Sequence, residues 1–376
     1  MRNIVVTGAG GFIGRNLVQH LKALGDVNVL CYDLDDTAEA LEAGLAAADF
    51  VFHLAGVNRP RETEEFETGN KGLTDQVLSL LVKHGRKIPF VLSSSAQAAL
   101  DNPYGVSKRR AEAAVLAWAR ESGGEALVYR LPNVFGKWCR PNYNSVAATY
   151  CYNIARDLPI QINDPAAELT LVYIDDVAAE FLRALQGGAD KHEDGFCHVP
   201  RVFQLTLRDL AGRIHSFRAS RKTLTLPNFE DDLTRFLYAT YLSYLPQDGF
   251  GYKIEMQRDN RGWLAELIKS KQFGQIFVSR TKPGITRGNH WHHTKTEKFI
   301  VIEGEAVIRF RRVGGEEIIE VPVSGEEIKI VDIPTGYTHS ITNVGETDVI
   351  TLFWADTLFD PENPDTWMLE VGTGKG

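Results

Sequence analysis

Short apolar runs alternate with stretches of helical spacing over the first half of the chain. NIVVTG, VNVLCYD, DFVFHLAG, FVLSSS and ALVYRLPNVFG are each followed by an amphipathic segment or a loop. Continuous β-branched runs separated by helices predict a parallel sheet covered on both faces. LRDLAGRIHSFRAS and FEDDLTRFLYATYLSYL read as helices that complete this first domain, and LPQDGFGY, with a proline and two glycines, reads as a linker. Beyond it the period changes. QIFVSRT, KFIVIEG, EAVIRFRR, EEIIEVPV, EIKIVDIP and VITLFWA are short strands broken by Gly, Pro and charged turns, which predicts a small antiparallel barrel or double-sheet roll. The expected organisation is a first domain over 1–243, a linker over 244–252 and a second domain over 253–376.

A chain of 376 residues suits two domains, each able to bury its own core. The net charge of −8 and the absence of a Lys/Arg-rich run argue against a nucleic-acid partner. Cys31, Cys139, Cys151 and Cys197 form no CxxC pair, as expected of a reducing compartment. A strand beginning at Ile4 is read as leaving no room for a signal peptide, and no apolar run reaches membrane-span length, so the cytoplasm is the expected location and no membrane partner is expected.

TGAGGFIGRNL places Gly8, Gly11 and Gly14 after a predicted strand and at the opening of a helix. The first glycine permits the tight turn, the second a close approach of backbone to pyrophosphate, and the third close packing of helix on sheet. Asp33, ending the second strand, suits the ribose hydroxyls of a dinucleotide. Its charge would repel a 2′-phosphate while Arg15 would offset that repulsion, so NADH and NADPH both stay open. Tyr104 and Lys108 form YxxxK on one helix face, and a lysine beside a phenol favours proton transfer. A lone YxxxK is commonly just a solvated helix face; here a strand ending in Ser93–Ser95 precedes it.

TGAGGFIG, HLAG, SSS, YGVSK and RLPNVFG, in that order, resemble the extended short-chain dehydrogenases that act on nucleotide sugars, over residues 1–240. The resemblance implies an NAD(P)H site that includes Phe12, Ile13, Leu54 and Ala55, a catalytic set of Ser95, Tyr104 and Lys108, and Arg130 and Asn133 near the substrate diphosphate. Eight residues separate Ser95 from Tyr104, where many relatives have a longer loop, which keeps Ser94 open as the serine.

GNHWHHTKTEKFIVIEG holds the second candidate chemistry. In a strand His290 and His292 share a face, Glu297 follows after a turn, and His339 comes from PTGYTHSITN. Three imidazoles and a carboxylate suit Zn²⁺, with Mn²⁺, Fe²⁺ and Ni²⁺ as alternatives. His293 points the other way. Gly284, His290, His292, Glu297 and Gly304 fit the first cupin motif, and Pro334, Gly336, His339 and Asn343 the second, with Ile328 at the usual leading glycine. DNRGWLAE resembles a substrate-holding segment of cupin sugar-nucleotide epimerases, which would make Arg261 a phosphate contact; a polar β-turn is the plain reading.

A short-chain reductase fused to a cupin resembles the CapF family of capsular polysaccharide assembling proteins. The resemblance implies a Rossmann-like doubly wound α/β sheet followed by an all-β cupin jelly roll. It implies a bifunctional enzyme in which the cupin inverts the carbon beside the ketone of a UDP-4-keto-6-deoxy-N-acetylhexosamine and the reductase reduces that ketone, on the route to UDP-N-acetyl-L-fucosamine. His293, Tyr337 and Lys295 are candidate bases. A homodimer is expected. The alternatives are a reductase whose cupin serves only dimerisation, and a sensor without chemistry.

Overall fold

The computed structural model describes residues 1–372. They form two compact units, one of residues 1–214 with 236–246, the other of residues 215–235 with the chain from 247 onward. The segment 215–235, read from the sequence as part of the first domain, thus clusters with the second unit.

In the first unit, β1 (Arg2–Thr7), β2 (Val27–Tyr32), β3 (Phe50–His53), β4 (Pro89–Ser95) and β5 (Glu125–Leu131) form a parallel sheet in the order β2-β1-β3-β4-β5. Successive side chains go to opposite faces, and both faces are buried. Ile4, Val6, Phe50, Phe52, Leu127 and Tyr129 pack with the helices Phe12–Leu24 and Ile174–Leu185. Val5, Val51, Phe90, Leu92 and Val128 pack on the other side with the helices Ala38–Ala47, Leu73–Lys83 and Pro103–Ser122. This is why these strands read as unbroken apolar runs. Phe52 is fully buried against Phe50 and Phe181, so its truncation would cost roughly 3–5 kcal/mol. A small second sheet joins β6 (Asn133–Phe135), β7 (Glu168–Tyr173) and β8 (Phe203–Thr206). The chain crosses from one side of β1 to the other between β2 and β3. The crevice at the carboxyl ends of β1 and β3 is the position where doubly wound sheets take ligands.

The second unit is antiparallel. Its strands are β9 (Gln257–Asp259), β10 (Gly262–Ser270), β11 (Gly274–Thr281), β12 (Thr286–Trp291), β13 (Glu297–Glu303), β14 (Glu305–Arg312), β15 (Ile318–Ser324), β16 (Ile330–Ile333), β17 (Tyr337–Asn343), β18 (Val349–Ala355) and β19 (Trp367–Met368). One sheet runs β16-β13-β18-β11-β10-β9 and the other β15-β14-β17-β12-β19. Phe299, Val301 and Phe353 of the first meet Ile308, Phe310 and Ile341 of the second in a shared core, the double-sheet arrangement expected of a cupin. Leu224 and Leu226 exchange backbone hydrogen bonds with Lys269 at 2.7 Å, which ties residues 215–235 to β10.

The pairing of β12 with β17 is broken by one extra residue, Asn289, whose φ is +60°. Arg287 pairs with Ile341 and His290 with His339, two residues apart on β17 and therefore on one face. A regular strand would put Arg287 and His290 on opposite faces. The bulge puts both on the inner one.

Candidate functional site

At the crevice of the first unit the backbone turns tightly. Gly8 has φ of +69°, its amide donates to Tyr32 O at 2.8 Å, and a Cβ there would lie 2.7 Å from Ala55 N. A Cβ on Gly14 would lie 2.1 Å from Gly8 O, so any side chain would push the helix Phe12–Leu24 off the turn. The cap residue Gly11 offers no side-chain bond, which leaves first-turn amides free for an anion. Asp33 accepts from Gly10 N at 2.6 Å; burial, with Asp36 and Asp35 nearby, holds its carboxyl above the usual range. Asp33, Arg15, Cys31 and Trp138 line a cavity of about 440 Å³. Gly10, Arg15 and Trp138 also line a larger groove of about 980 Å³, whose wall includes Gly11, Phe12, Ile13 and Leu54. Trp138 holds a φ of +70°, a strained conformation for a bulky residue, with Arg15 and Lys137 each 5.6 Å from its ring.

The far end of the groove holds Ser93–Ser95, Tyr104, Lys108 and Asn133. Asn102 caps the helix Pro103–Ser122 by accepting from Gly105 N at 2.8 Å, and Pro103 occupies its first position, so Tyr104 sits in the first turn with Lys108 one turn on. The phenol of Tyr104 is pushed up by burial and opposed by its hydrogen bond with Ser95. The Lys108 ammonium is buried and pushed down to about 8 by desolvation, with Glu112 opposing. It donates to Ser93 O at 3.1 Å, so Ser95 and not Lys108 bonds the phenol. Ser94 instead donates to the buried Glu112.

Glu112 also accounts for Arg130. That guanidinium makes two bonds to Glu112, at 2.9 and 2.7 Å, and lies 3.9 Å from the Phe196 ring centre. The structure does not bring it to the groove, because the buried carboxylate claims it. Asn133 does reach the groove, bonding Thr170 O at 3.3 Å. A different arginine is present there: Arg140 stands 5.0 Å from the ring of Tyr143, with Arg59 at 5.8 Å. Sequence reasoning passed over both, and also over Asn70, which is buried, bonds Val57 N and O and Ser107, and lies in a π-helical turn, Glu67–Gly72. The run GKWCRPNYNS was the only signal for Arg140, and it carries no spacing rule.

In the second unit His290, His292, Glu297 and His339 offer donor atoms within 4.8 Å of one another. His292 Nε2 is 3.2 Å and His339 Nε2 3.5 Å from Glu297 Oε2, while Lys295 Nζ takes the other oxygen at 3.1 Å. Burial alone would raise the Glu297 carboxyl; His292, His339 and Lys295 overcome it and keep the group ionised. Burial and the neighbouring His339 and His292 push His290 down to about 4, so its imidazole is neutral at pH 7, as a metal donor would have to be. His339 Nε2 is fully buried and, at 3.5 Å from the carboxylate, lacks a hydrogen-bond partner. An orphaned imidazole nitrogen facing two more imidazoles and a carboxylate fits a divalent cation. His293 points outward, its ring centre 4.3 Å from that of Trp291. Tyr337 is half-buried at the start of β17. Arg261 sits in the turn between β9 and β10, its Nε bonded to Asp259 at 2.8 Å, and its charge, after burial, depresses the half-buried Arg287.

Residues 4–196 match the NAD dependent epimerase/dehydratase family, and residues 257–367 match the polysaccharide biosynthesis C-terminal domain. The chain is 45% identical over 371 residues to the UDP-2-acetamido-2,6-beta-L-arabino-hexul-4-ose reductase of Pseudomonas aeruginosa, covering 99% of each. It is 49% identical to the crystal structure of capsular polysaccharide assembling protein CapF from Staphylococcus aureus, with a TM-score of 0.92, over 98% of this chain and 100% of that one. A crystal structure of CapF with the inhibitor 3-isopropenyl-tropolone matches at 45% identity and a TM-score of 0.89, over 98% and 100% of the two chains. With both parts matched and nearly every residue of these relatives spanned, the chain belongs to the CapF family, within the NAD dependent epimerase/dehydratase family.

Proposed function

We propose that this chain is a bifunctional nucleotide-sugar enzyme of capsular polysaccharide biosynthesis. Its second unit epimerises the carbon beside the ketone of a UDP-4-keto-6-deoxy-N-acetylhexosamine, and its first unit reduces that ketone. The observation that carries this reading is the presence, in one chain, of a Ser95–Tyr104 pair beside a dinucleotide turn and of a buried three-histidine, one-carboxylate donor set. The printed activity of the Pseudomonas relative, a reductase of a UDP-linked hexul-4-ose, supports the same substrate class.

The nicotinamide, when bound, supplies the hydride. Tyr104, kept protonated at neutral pH by its burial, donates the proton to the carbonyl oxygen, and Ser95 fixes the phenol's direction. Lys108, a cation held on the same helix face by Ser93 O, lowers the cost of the phenolate left behind. Arg140 meets the substrate diphosphate in place of Arg130.

In the second unit His290, His292, Glu297 and His339 would hold the divalent cation, which when bound supplies Lewis acidity to a ketone oxygen and so acidifies the adjacent carbon. Lys295 orients Glu297 by holding its other oxygen.

Solvent deuterium exchange into the keto-sugar and cofactor oxidation test the two halves separately. Tyr104→Phe is expected to stop cofactor oxidation and keep exchange; His290→Ala is expected to stop exchange and keep reduction of an already epimerised substrate. Loss of both activities in either variant would contradict the division of labour. A metal-stripped chain that is monomeric yet fully active would instead favour a cupin that only pairs subunits.

A further inference from the structure

Residues His293 to Thr296 join the ligand His292 to the ligand Glu297, and the amides of the first three converge on one carboxylate 70 to 72 positions away. Asp365 Oδ1 accepts from His293 N at 2.9 Å, and Oδ2 accepts from Thr294 N at 2.7 Å, Thr294 Oγ1 at 2.8 Å and Lys295 N at 2.9 Å. The backbone carbonyl of the same residue accepts from His292 Nδ1. A carbonyl can only accept, so that bond places a proton on Nδ1 and leaves Nε2, directed at Glu297 Oε2, as the nitrogen that would bind a metal. The chain just beyond Asp365 grips the strand before the ligands as well. Leu369 N donates to Asn289 O at 2.9 Å and Val371 N to Asn289 Oδ1 at 3.2 Å, at the bulge that turns His290 inward.

We propose that Asp365 is a positioning residue of the metal centre: it fixes the tautomer and direction of His292 and the path of the loop to Glu297. This rests on the reading of the histidine cluster as a metal site. Partners of this kind commonly change metal affinity 10- to 100-fold when removed. Nothing in the local sequence around Asp365 marks it, because its role exists only through the return of the chain along β12.

The test is Co²⁺ binding to the full-length protein, read by visible absorption. Asp365→Asn keeps the size of the side chain but replaces an oxygen that accepts three bonds with an amino group that accepts none. It is expected to raise the Co²⁺ dissociation constant about 10- to 100-fold and to shift the ligand-field bands. Thr294→Val, which removes a single bond, is expected to raise it by less, and it decides the matter where Asp365→Asn does not fold. Wild-type affinity and spectrum in the variant that folds would overturn the proposal, as would a lowered metal-free melting midpoint with Co²⁺ binding unchanged. A wild-type chain that takes up no Co²⁺ would remove the metal centre itself, and this role with it.

Discussion

Lys108→Met should make the first unit more stable while ending turnover. Lys108 is 6% exposed, and burial lowers its ammonium from an ordinary 10.5 to about 8. At about 1.4 kcal/mol per pH unit, holding that charge in place at pH 7 costs about 3 kcal/mol. Methionine fills similar space without the charge. It forfeits the bond to Ser93 O, worth about 1 kcal/mol, and Glu112 keeps Ser94 and Arg130 as partners. The net gain is about 2 kcal/mol at neutral pH. The sign with pH follows from the depressed value. Below about 8 both folded and unfolded lysines are protonated and the penalty is constant. Between about 8 and 10.5 the unfolded chain still holds the proton that the folded one has released, so the wild type gains stability as pH rises. The advantage of the variant must therefore shrink across that window. Urea titrations at pH 7, 8, 9 and 10, read by pulse-labelled hydrogen exchange in peptides from β1 to β5, measure it. A variant no more stable than the wild type at pH 7, or an advantage unchanged from pH 8 to 10, would refute the reasoning.

The two serines separate in the same way. Ser95→Ala, which frees the phenol, should lower kcat at least tenfold with little loss of stability; Ser94→Ala should leave kcat near wild type and destabilise by about 1–3 kcal/mol, since buried Glu112 loses a donor. Steady-state kinetics beside urea titrations would show an exchange of these roles if the reading is wrong. Arg140→Ala should raise KM for the nucleotide sugar about tenfold and change kcat less, whereas a fall in kcat alone would take Arg140 away from the diphosphate. Chelation should lower the melting temperature of the second unit, through a loss of about 4 kcal/mol of stability when the metal had been present at a thousand times its dissociation constant; an unchanged melt would mean that the four donors hold nothing. Reloading with Mn²⁺, Ni²⁺ and Zn²⁺ should restore that stability with each ion, and solvent exchange with those that accept more than four ligands.

The parts of this molecule that were legible are those set by local rules. The two-faced burial of β1 to β5 shows in their unbroken apolar runs, and the Gly8–Gly14 turn shows because only glycine tolerates its contacts with Ala55 and Gly8. His290 and His292 were read from strand alternation, and their donor atoms lie together with those of Glu297 and His339, although β12 ends at Trp291. What a local pattern does not carry is whatever depends on a distant partner. Arg130 reads as a substrate contact until Glu112, on a helix 18 positions earlier, is seen to hold it. The closeness of Tyr104 and Lys108 follows from helix spacing, but the Ser93 carbonyl that takes the ammonium does not. Asn289 and Asp365 act through a β-bulge and a returning terminal segment, and neither has a sequence signature at the place where it acts.

The donor set carries an argument about its own use. Four protein ligands fill a tetrahedral shell, the arrangement of structural zinc, whereas a cation that polarises a substrate oxygen needs a vacant position. Three of the four donors are buried and His290 is half-buried, so His290 is the donor nearest solvent. The charges point the same way. His290 is neutral, and the negative charge of Glu297 is already matched by Lys295. A divalent cation placed there would keep most of its charge uncompensated, and such a surplus costs stability unless an electron-rich oxygen arrives to meet it. A strut would be better served by a second carboxylate, and among the described residues the cluster contains only one. On the proposed reading of the cluster as a metal site, this balance of ligands and charge suits a centre completed by a substrate oxygen better than one that only holds two sheets together.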